Sequence, residues 1–352
     1  MSISKSIFGS LDKKGYVELY TIKNSTGAFV QVMTLGAGIH SINVPDKSGR
    51  LGDVVLGFDD PNNYTNPDLG FQGLAVARYA NRIKGASFEI DGVCYHVPKN
   101  QGENSLHSGG RLSFSLWNVE NTTDNSVTFT IDSPDMQDGF PGNLKLSIKY
   151  TFTDDNALKI EYNFLSDKKT IVNPTNHSYF NLSADSSKTI EDHLLFVNAD
   201  KFTETDTEQL PTGILSDVKG TPMDFTTLHR IGDTINEPFD MLIGDVGYDN
   251  NYCLRNTEIG KLEKAAELCD EQSGRKMEVY TDLPGLQVYC GGWLKKSGNP
   301  GKGDSLVTYR RGVALETQFY PDAVHHENFP FKYAMPNEPF KTTTEYRFSL
   351  MK

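Results

Sequence analysis

From Leu144 to Phe164 the chain alternates apolar and polar residues almost without interruption. Leu144, Leu146, Ile148, Tyr150 and Phe152 stand at every second position, Asp154-Asp155-Asn156 turns the chain, and Leu158, Ile160, Tyr162 and Phe164 resume the alternation. Successive side chains of a strand point to opposite faces, so this period describes an extended hairpin with one dry and one wet face. Shorter runs of the same kind occur at Val17–Ile22, Phe29–Met33, Val93–Val97, Val127–Ile131, Leu194–Val197, Met277–Tyr280, Leu286–Tyr289 and Tyr346–Leu350. Turn signals such as Asp91-Gly92 and Pro211-Thr-Gly213 separate them. Only Glu258–Cys269 offers a helical period, and a strand turning through Gln272-Ser-Gly-Arg275 into Met277–Tyr280 competes with it and is preferred. No repeat, low-complexity tract or linker breaks the series, so residues 1–352 read as a single all-β, antiparallel domain.

A chain of 352 residues is long for one domain, but large β-sandwiches reach that length. The 31 glycines and 16 prolines suit many turns, and 16 tyrosines with 20 phenylalanines suit a broad core. A formal charge of −12 opposes partners that need a basic footprint, namely nucleic acid and anionic membrane surfaces. The first residues lack the apolar core of a signal peptide, and no stretch approaches the roughly 18 apolar residues of a membrane span. A cytoplasmic protein, monomeric or weakly dimeric, is the expectation. Cys94, Cys253, Cys269 and Cys290 form no C-x-x-C pair and are expected to be reduced, buried thiols. Asn-x-Ser/Thr sequons at Asn176 and Asn181 fall where glycans would block a polar segment described next, which favours the same compartment.

Five polar clusters interrupt this pattern. In Ile171-Val-Asn-Pro-Thr-Asn-His-Ser-Tyr-Phe-Asn181 a histidine stands among three asparagines, too many hydrogen-bonding groups for an ordinary core strand. If extended, the segment puts His177, Tyr179 and Asn181 on one face, suggesting a wet concave site for a hydroxylated ligand. Asn81 and Arg82 close a second cluster, where an arginine fork could bond sugar oxygens or simply sit on the surface. His107 lies in the glycine-rich turn Gln101–Gly110, as a binding group or as a histidine bonding its own backbone. Gly247–Tyr252 carries Asp249. In Ala314–Asp322, Val313 and Leu315 would face the core while Glu316 and Gln318 share the other side. Glutamate, ordinarily near pKa 4.3, and histidine, near 6.5, make a natural base and acid.

Taken in order, Ala77-Arg-Tyr-Ala-Asn-Arg-Ile83, Asn104-Ser-Leu-His107, Asn173–Asn181, Gly247-Tyr-Asp249, Pro284-Gly-Leu-Gln-Val-Tyr289, Leu315-Glu-Thr-Gln318 and Pro321-Asp-Ala-Val324 resemble the aldose 1-epimerase, or galactose mutarotase, family. The resemblance runs from about Gly36 to Tyr346, and Asp135–Leu144 resembles a family loop that often has tyrosine in place of Phe140. It implies a large twisted antiparallel β-sandwich with few short helices, a monosaccharide bound in an open cleft, and no metal or organic cofactor. It places the general base at Glu316, the general acid at His177, a second histidine near the ring oxygen at His107, and sugar contacts at Asn81, Arg82, Asp249 and Gln287. The implied reaction opens the hemiacetal ring of a free aldohexose such as D-galactose or D-glucose and recloses it as the other anomer. Cys290-Gly-Gly-Trp293 and Ala77 depart from the common pattern, which bears on substrate preference.

Other readings compete. A glycoside hydrolase would pair Asp249 with Glu316 and leave the histidine segment idle. A hexose-6-phosphate epimerase would need a basic cluster, for which Arg310-Arg311 is the candidate. A non-catalytic sugar-binding module would have lost the acid or the base, and this chain has both. His325-His326 could suggest a metal, but neighbouring residues are expected to point apart.

Overall fold

Strand alternation translates into three large sheets among the described residues, beside several two-stranded ribbons. The computed structural model describes residues 1–12, 14–255, 258–296 and 298–352. The long hairpin forms as Leu144–Phe152 paired with Ala157–Ser166, its inward residues buried at every second position. It lies within a nine-stranded sheet, with Asn118–Thr122 and Ser126–Ser133 on one side and Phe340–Leu350, Arg275–Thr281, Glu263–Asp270, Leu194–Val197 and His229–Arg230 on the other. The ambiguous Glu258–Cys269 segment is therefore strand, paired through Glu263–Asp270 with Arg275–Thr281. Every pairing in the sheet is antiparallel, and helical structure among the described residues is confined to short 3₁₀ turns.

A six-stranded sheet packs against this one. Its order is Tyr179–Phe180, Val313–Gln318, Gly285–Tyr289, Asp249–Leu254, Ala199–Thr205 and Pro211–Asp217. Phe180, Val313, Leu315, Leu286, Val288 and Tyr252 join Ile148, Tyr150, Ile160, Tyr162 and Tyr346 of the larger sheet in one buried apolar cluster. Polar ties cross the same interface, with Thr317 Oγ1 2.5 Å from Thr344 Oγ1 and the Tyr346 hydroxyl donating to the Leu315 carbonyl. A five-stranded amino-terminal sheet, Ser2–Leu11 to Leu51–Asp53, contributes Ile22, Val30, Val32 and Ile42 to that cluster. The result is a β-sandwich whose smaller sheet turns its second face away from the core.

Two expectations need correction. The segment Ile171–Asn181 is not one strand with a wet face: all its residues are buried, and its pairing is broken into Thr175–Asn176, Tyr179–Phe180 and a single bridge from Asn173 to Tyr79. Between them the His177 N–H donates to the Leu74 carbonyl and the His177 carbonyl accepts from Gly73 N–H, so the backbone leaves the regular ladder there. The cysteines are all free thiols, but Cys94 is exposed on the two-stranded Ser87–Ile90/Val93–His96 hairpin, because neither face of that ribbon is covered at Cys94.

Candidate active site

Alternation on the smaller sheet sorts core residues from site residues. Along Val313–Gln318, Val313 and Leu315 enter the core, which leaves Glu316 on the opposite face. Along Gly285–Tyr289, Leu286 and Val288 enter the core, leaving Gln287 and Tyr289 outward. Tyr252 and Leu254 do the same for Asp249. Register then fixes neighbours, since Gln287 pairs with Glu316 and Asp249 with Tyr289. Asp249, Tyr289, Glu316 and Tyr179 thus form the floor of a cavity of about 320 Å³.

Loops supply the walls. Arg82–Ile83 pairs with Ser105–Leu106, which sets His107 beside Asn81. Both residues adopt left-handed backbone, φ 63° and 51°. Asn81 and His107 also bond reciprocally: the His107 N–H donates to the Asn81 carbonyl at 3.1 Å, and the Asn81 N–H donates to His107 Nδ1 at 3.2 Å. A neutral imidazole that accepts at Nδ1 carries its proton on Nε2, so His107 presents a fixed donor. Phe71 leans on the His107 ring at 4.9 Å between centroids and faces His177 at 6.2 Å. Gly70, at φ 82°, lets the wall approach the floor, since a Cβ there would lie 2.7 Å from the Tyr179 hydroxyl.

On the floor of the cavity His177 Nε2 stands 3.5 Å from Glu316 Oε1, and both side chains are almost wholly buried. Burial, reinforced by Asp249, pushes the Glu316 carboxyl well above its usual range, with Arg82 pulling the other way. Burial brings His177 down to about 4. His107 is held well below 6.5 by burial, then by His177 and Arg82. Glu316 Oε2 and His177 Nδ1 have no hydrogen-bond partner. A carboxyl and an imidazole this close titrate as a pair and can pass a proton between oxygen and nitrogen.

The far end of the cavity is lined by polar side chains that bond one another. Asp249 accepts from Gln287 Nε2 at 2.8 Å and from Trp293 Nε1 at 3.3 Å, and Arg82 Nη2 lies 3.9 Å from it. Arg82 Nε–H donates to Gln101 Oε1 at 2.8 Å. A second, larger cavity of about 610 Å³ shares Gln101 and Trp293 with this one and is bordered by Asp206, Glu208 and Asp240, with no histidine in its lining.

All seven residues singled out from the sequence meet here, Gln287 through its bond to Asp249. Asn181 does not: its amide donates to the Lys188 and Arg311 carbonyls, and Asn176 similarly braces Gly73 and Ser178. Arg310 and Arg311 are not a phosphate cluster, because Arg310 is buried against Glu191 and Asn236 and Arg311 Nη1 binds the Ser186 carbonyl. His325 and His326 do not point apart; both turn to the buried Asp322, at 2.6 and 3.5 Å. Asp322 in turn donates its N–H to the Arg82 carbonyl and steadies that wall. Among the described ion pairs Glu316 stands against His177, the residue a hydrolase reading would leave idle. Phe71 was missed, because nothing in Gly-Phe-Gln-Gly marks a side chain that packs on two histidines.

The donor atoms of His107, His177 and Glu316 lie within 4.8 Å of one another, close enough to hold a metal ion. The proton on His107 Nε2, fixed by Asn81, removes the lone pair a metal would need from that ring.

Comparison with known proteins agrees with the geometry. Residues 18–347 match the family model for aldose 1-epimerase. The chain is 36% identical to the galactose mutarotase of Rattus norvegicus over 99% of both chains, and 34% identical to the aldose 1-epimerase of Escherichia coli K12 over 94% of both. The crystal structure of galactose 1-epimerase from Lactobacillus acidophilus superposes with a TM-score of 0.85 at 26% identity, covering 100% of each chain.

Proposed function

The chain belongs to the aldose 1-epimerase family and is a sugar mutarotase, and we propose that Glu316 and His177 interconvert the α and β anomers of free aldohexoses such as D-galactose and D-glucose. The observation that carries this reading is the 3.5 Å approach of His177 Nε2 to Glu316 Oε1 at the floor of a cavity.

Glu316 takes the proton of the C1 hydroxyl while His177 gives one to the ring oxygen. The C1–O5 bond breaks, C1 becomes a carbonyl, and rotation about C1–C2 exposes its other face. Reclosure reverses both transfers, so the pair ends with the proton count it began with. Burial strengthens Glu316 as a base and His177 as an acid, because each is disfavoured in its charged form. His107 Nε2–H stabilises charge on the oxygen that loses its bond. Asn81, Arg82 and Asp249 hold hydroxyls at the far end, and Gln287 orients Asp249. One chain supplies every group, in keeping with a monomer or weak dimer, and four free thiols fit a reducing cytoplasm.

Polarimetry on freshly dissolved α-D-glucose and α-D-galactose tests the proposal. The protein should speed the approach to anomeric equilibrium above the buffer rate, and His177→Asn should lower that rate roughly 10²–10⁴-fold. An unchanged rate in the variant refutes the assigned role.

A further inference from the structure

Arg82 has five N–H donors in a rigid plane, and what occupies them decides which remain for a ligand. Its Nε–H goes to Gln101 Oε1 and its Nη1 edge meets Asn81 Oδ1 at 3.5 Å. Its Nη2 donates to Gln209 Oε1, a residue 127 positions away. Gln209 sits at the tip of the hairpin formed by Ala199–Thr205 and Pro211–Asp217, in left-handed backbone at φ 62°. The tip is pinned from within, by Gln209 N–H to the Asp206 carbonyl and Asp206 N–H to the Leu210 carbonyl. Hairpin tips are ordinarily wet, and Glu208 beside it is exposed, yet Gln209 is 8% exposed and lines the larger cavity at its border with Arg82. Its Nε2 has no partner.

We propose that Gln209 is a positioning residue for the sugar site, holding the Arg82 guanidinium in the plane from which it donates to substrate hydroxyls. The chemistry favours a neutral acceptor at this point. A carboxamide oxygen fixes the guanidinium without cancelling its charge. Asp249, at 3.9 Å, is thereby left to accept from Gln287, Trp293 and the sugar instead of closing on Arg82. Arg82 also moderates Glu316 and His107 electrostatically, so its placement matters at both ends of the cavity. Gln209 touches no reacting atom and acts through Arg82, so it governs binding more than the proton transfers.

The inference rests on the cleft being the sugar site, which the activity of Glu316→Gln tests separately. Gln209→Met keeps length without an acceptor, and Gln209→Glu keeps an acceptor oxygen. Polarimetric KM and kcat for D-galactose, with Kd from tryptophan fluorescence as Trp293 borders the cavity, give the readout. The Met variant should raise KM and Kd about 10-fold with kcat within about 3-fold, and the Glu variant, which restores the acceptor but offsets the guanidinium charge, should recover part of the loss. The melting temperature should match wild type in both. A Met variant with normal KM, equal impairment of Met and Glu, or a fall in kcat alone overturns the role of Gln209. An active Glu316→Gln overturns the site itself.

Discussion

Replacing Glu316 by glutamine should abolish most activity and, above acid pH, make the protein more stable. The carboxyl is 2% exposed, its Oε2 has no partner, and burial with Asp249 nearby raises its pKa well above the usual value. A group whose folded pKa is raised contributes stability that is fully present below its unfolded pKa, about 4.3, and lost as pH rises through the folded value. Wild type therefore carries a penalty in neutral and alkaline solution that the amide does not. Leaving a buried polar group unsatisfied costs about 1–3 kcal/mol. For 352 residues, an unfolding entropy of about 2.1 cal/mol/K per residue gives about 0.7 kcal/mol/K, so the gain in Tm is about 1–4 °C. Thermal melts of both proteins by circular dichroism at pH 4, 6 and 8 should show a gap near zero at pH 4 that widens toward pH 8. A gap independent of pH, one largest in acid, or a variant less stable throughout would refute the electrostatic reasoning. Turnover measured in parallel should fall roughly 10²–10⁴-fold.

The pH profile of kcat/KM should have an acid limb nearer 4 than 6.5, because burial depresses His177 and a second proton on the pair is taken up only in strong acid; a limb at 6.5 in polarimetric assays would contradict it. Arg78→Met should lower stability on the order of 3 kcal/mol by urea unfolding, with a shifted midpoint and constant slope. That guanidinium binds the carbonyls of Ser133, Pro134, Phe140, Pro141 and Gly142 and pins the Asp135–Leu144 loop. D-glucose 6-phosphate should compete for the site no better than D-glucose, since among the described residues lining the cavity Arg82 is the one permanently cationic side chain and Asp206, Glu208 and Asp240 border its neighbour; inhibition tenfold tighter by the phosphate would revive the phosphate reading.

Much of this was legible in the chain because sheet structure writes itself in period two. The hairpin Leu144–Phe152/Ala157–Ser166 and the strand Leu194–Val197 lie where alternation puts them. The same rule located Glu316, since Val313 and Leu315 had to be inside. Alternation failed at His177 because it assumes a continuous ladder, and His177 sits where the chain leaves one strand to bond Gly73 and Leu74. It could not reveal Phe71 or Gln209 at all. Both come from loops whose reach is set by tertiary contacts and not by local pattern. Arg78 and Arg82 look alike in sequence, four residues apart in one motif, and only the fold separates the buried brace from the side chain that lines the cavity.

The placement of the proposed base, Glu316, on a strand and not on those loops has a physical consequence. On the outward face of a sandwiched sheet, the Glu316 carboxylate has its backbone fixed by pairing with Gln287 on one side and by Thr317 and Leu315 locked into the core beneath it. It cannot relax toward water, so its desolvation persists and its basicity is maintained without further machinery. Hydroxyl-binding groups face the opposite demand, because different sugars present different oxygens. Arg82, on a two-residue strand at the cavity wall, is accordingly held by Gln101 and Gln209 from two separate segments, and Trp293 reaches Asp249 from a loop. Substitution of Glu316 should therefore change kcat, and substitutions at Arg82, Gln101 and Gln209 should change KM and the choice of aldose.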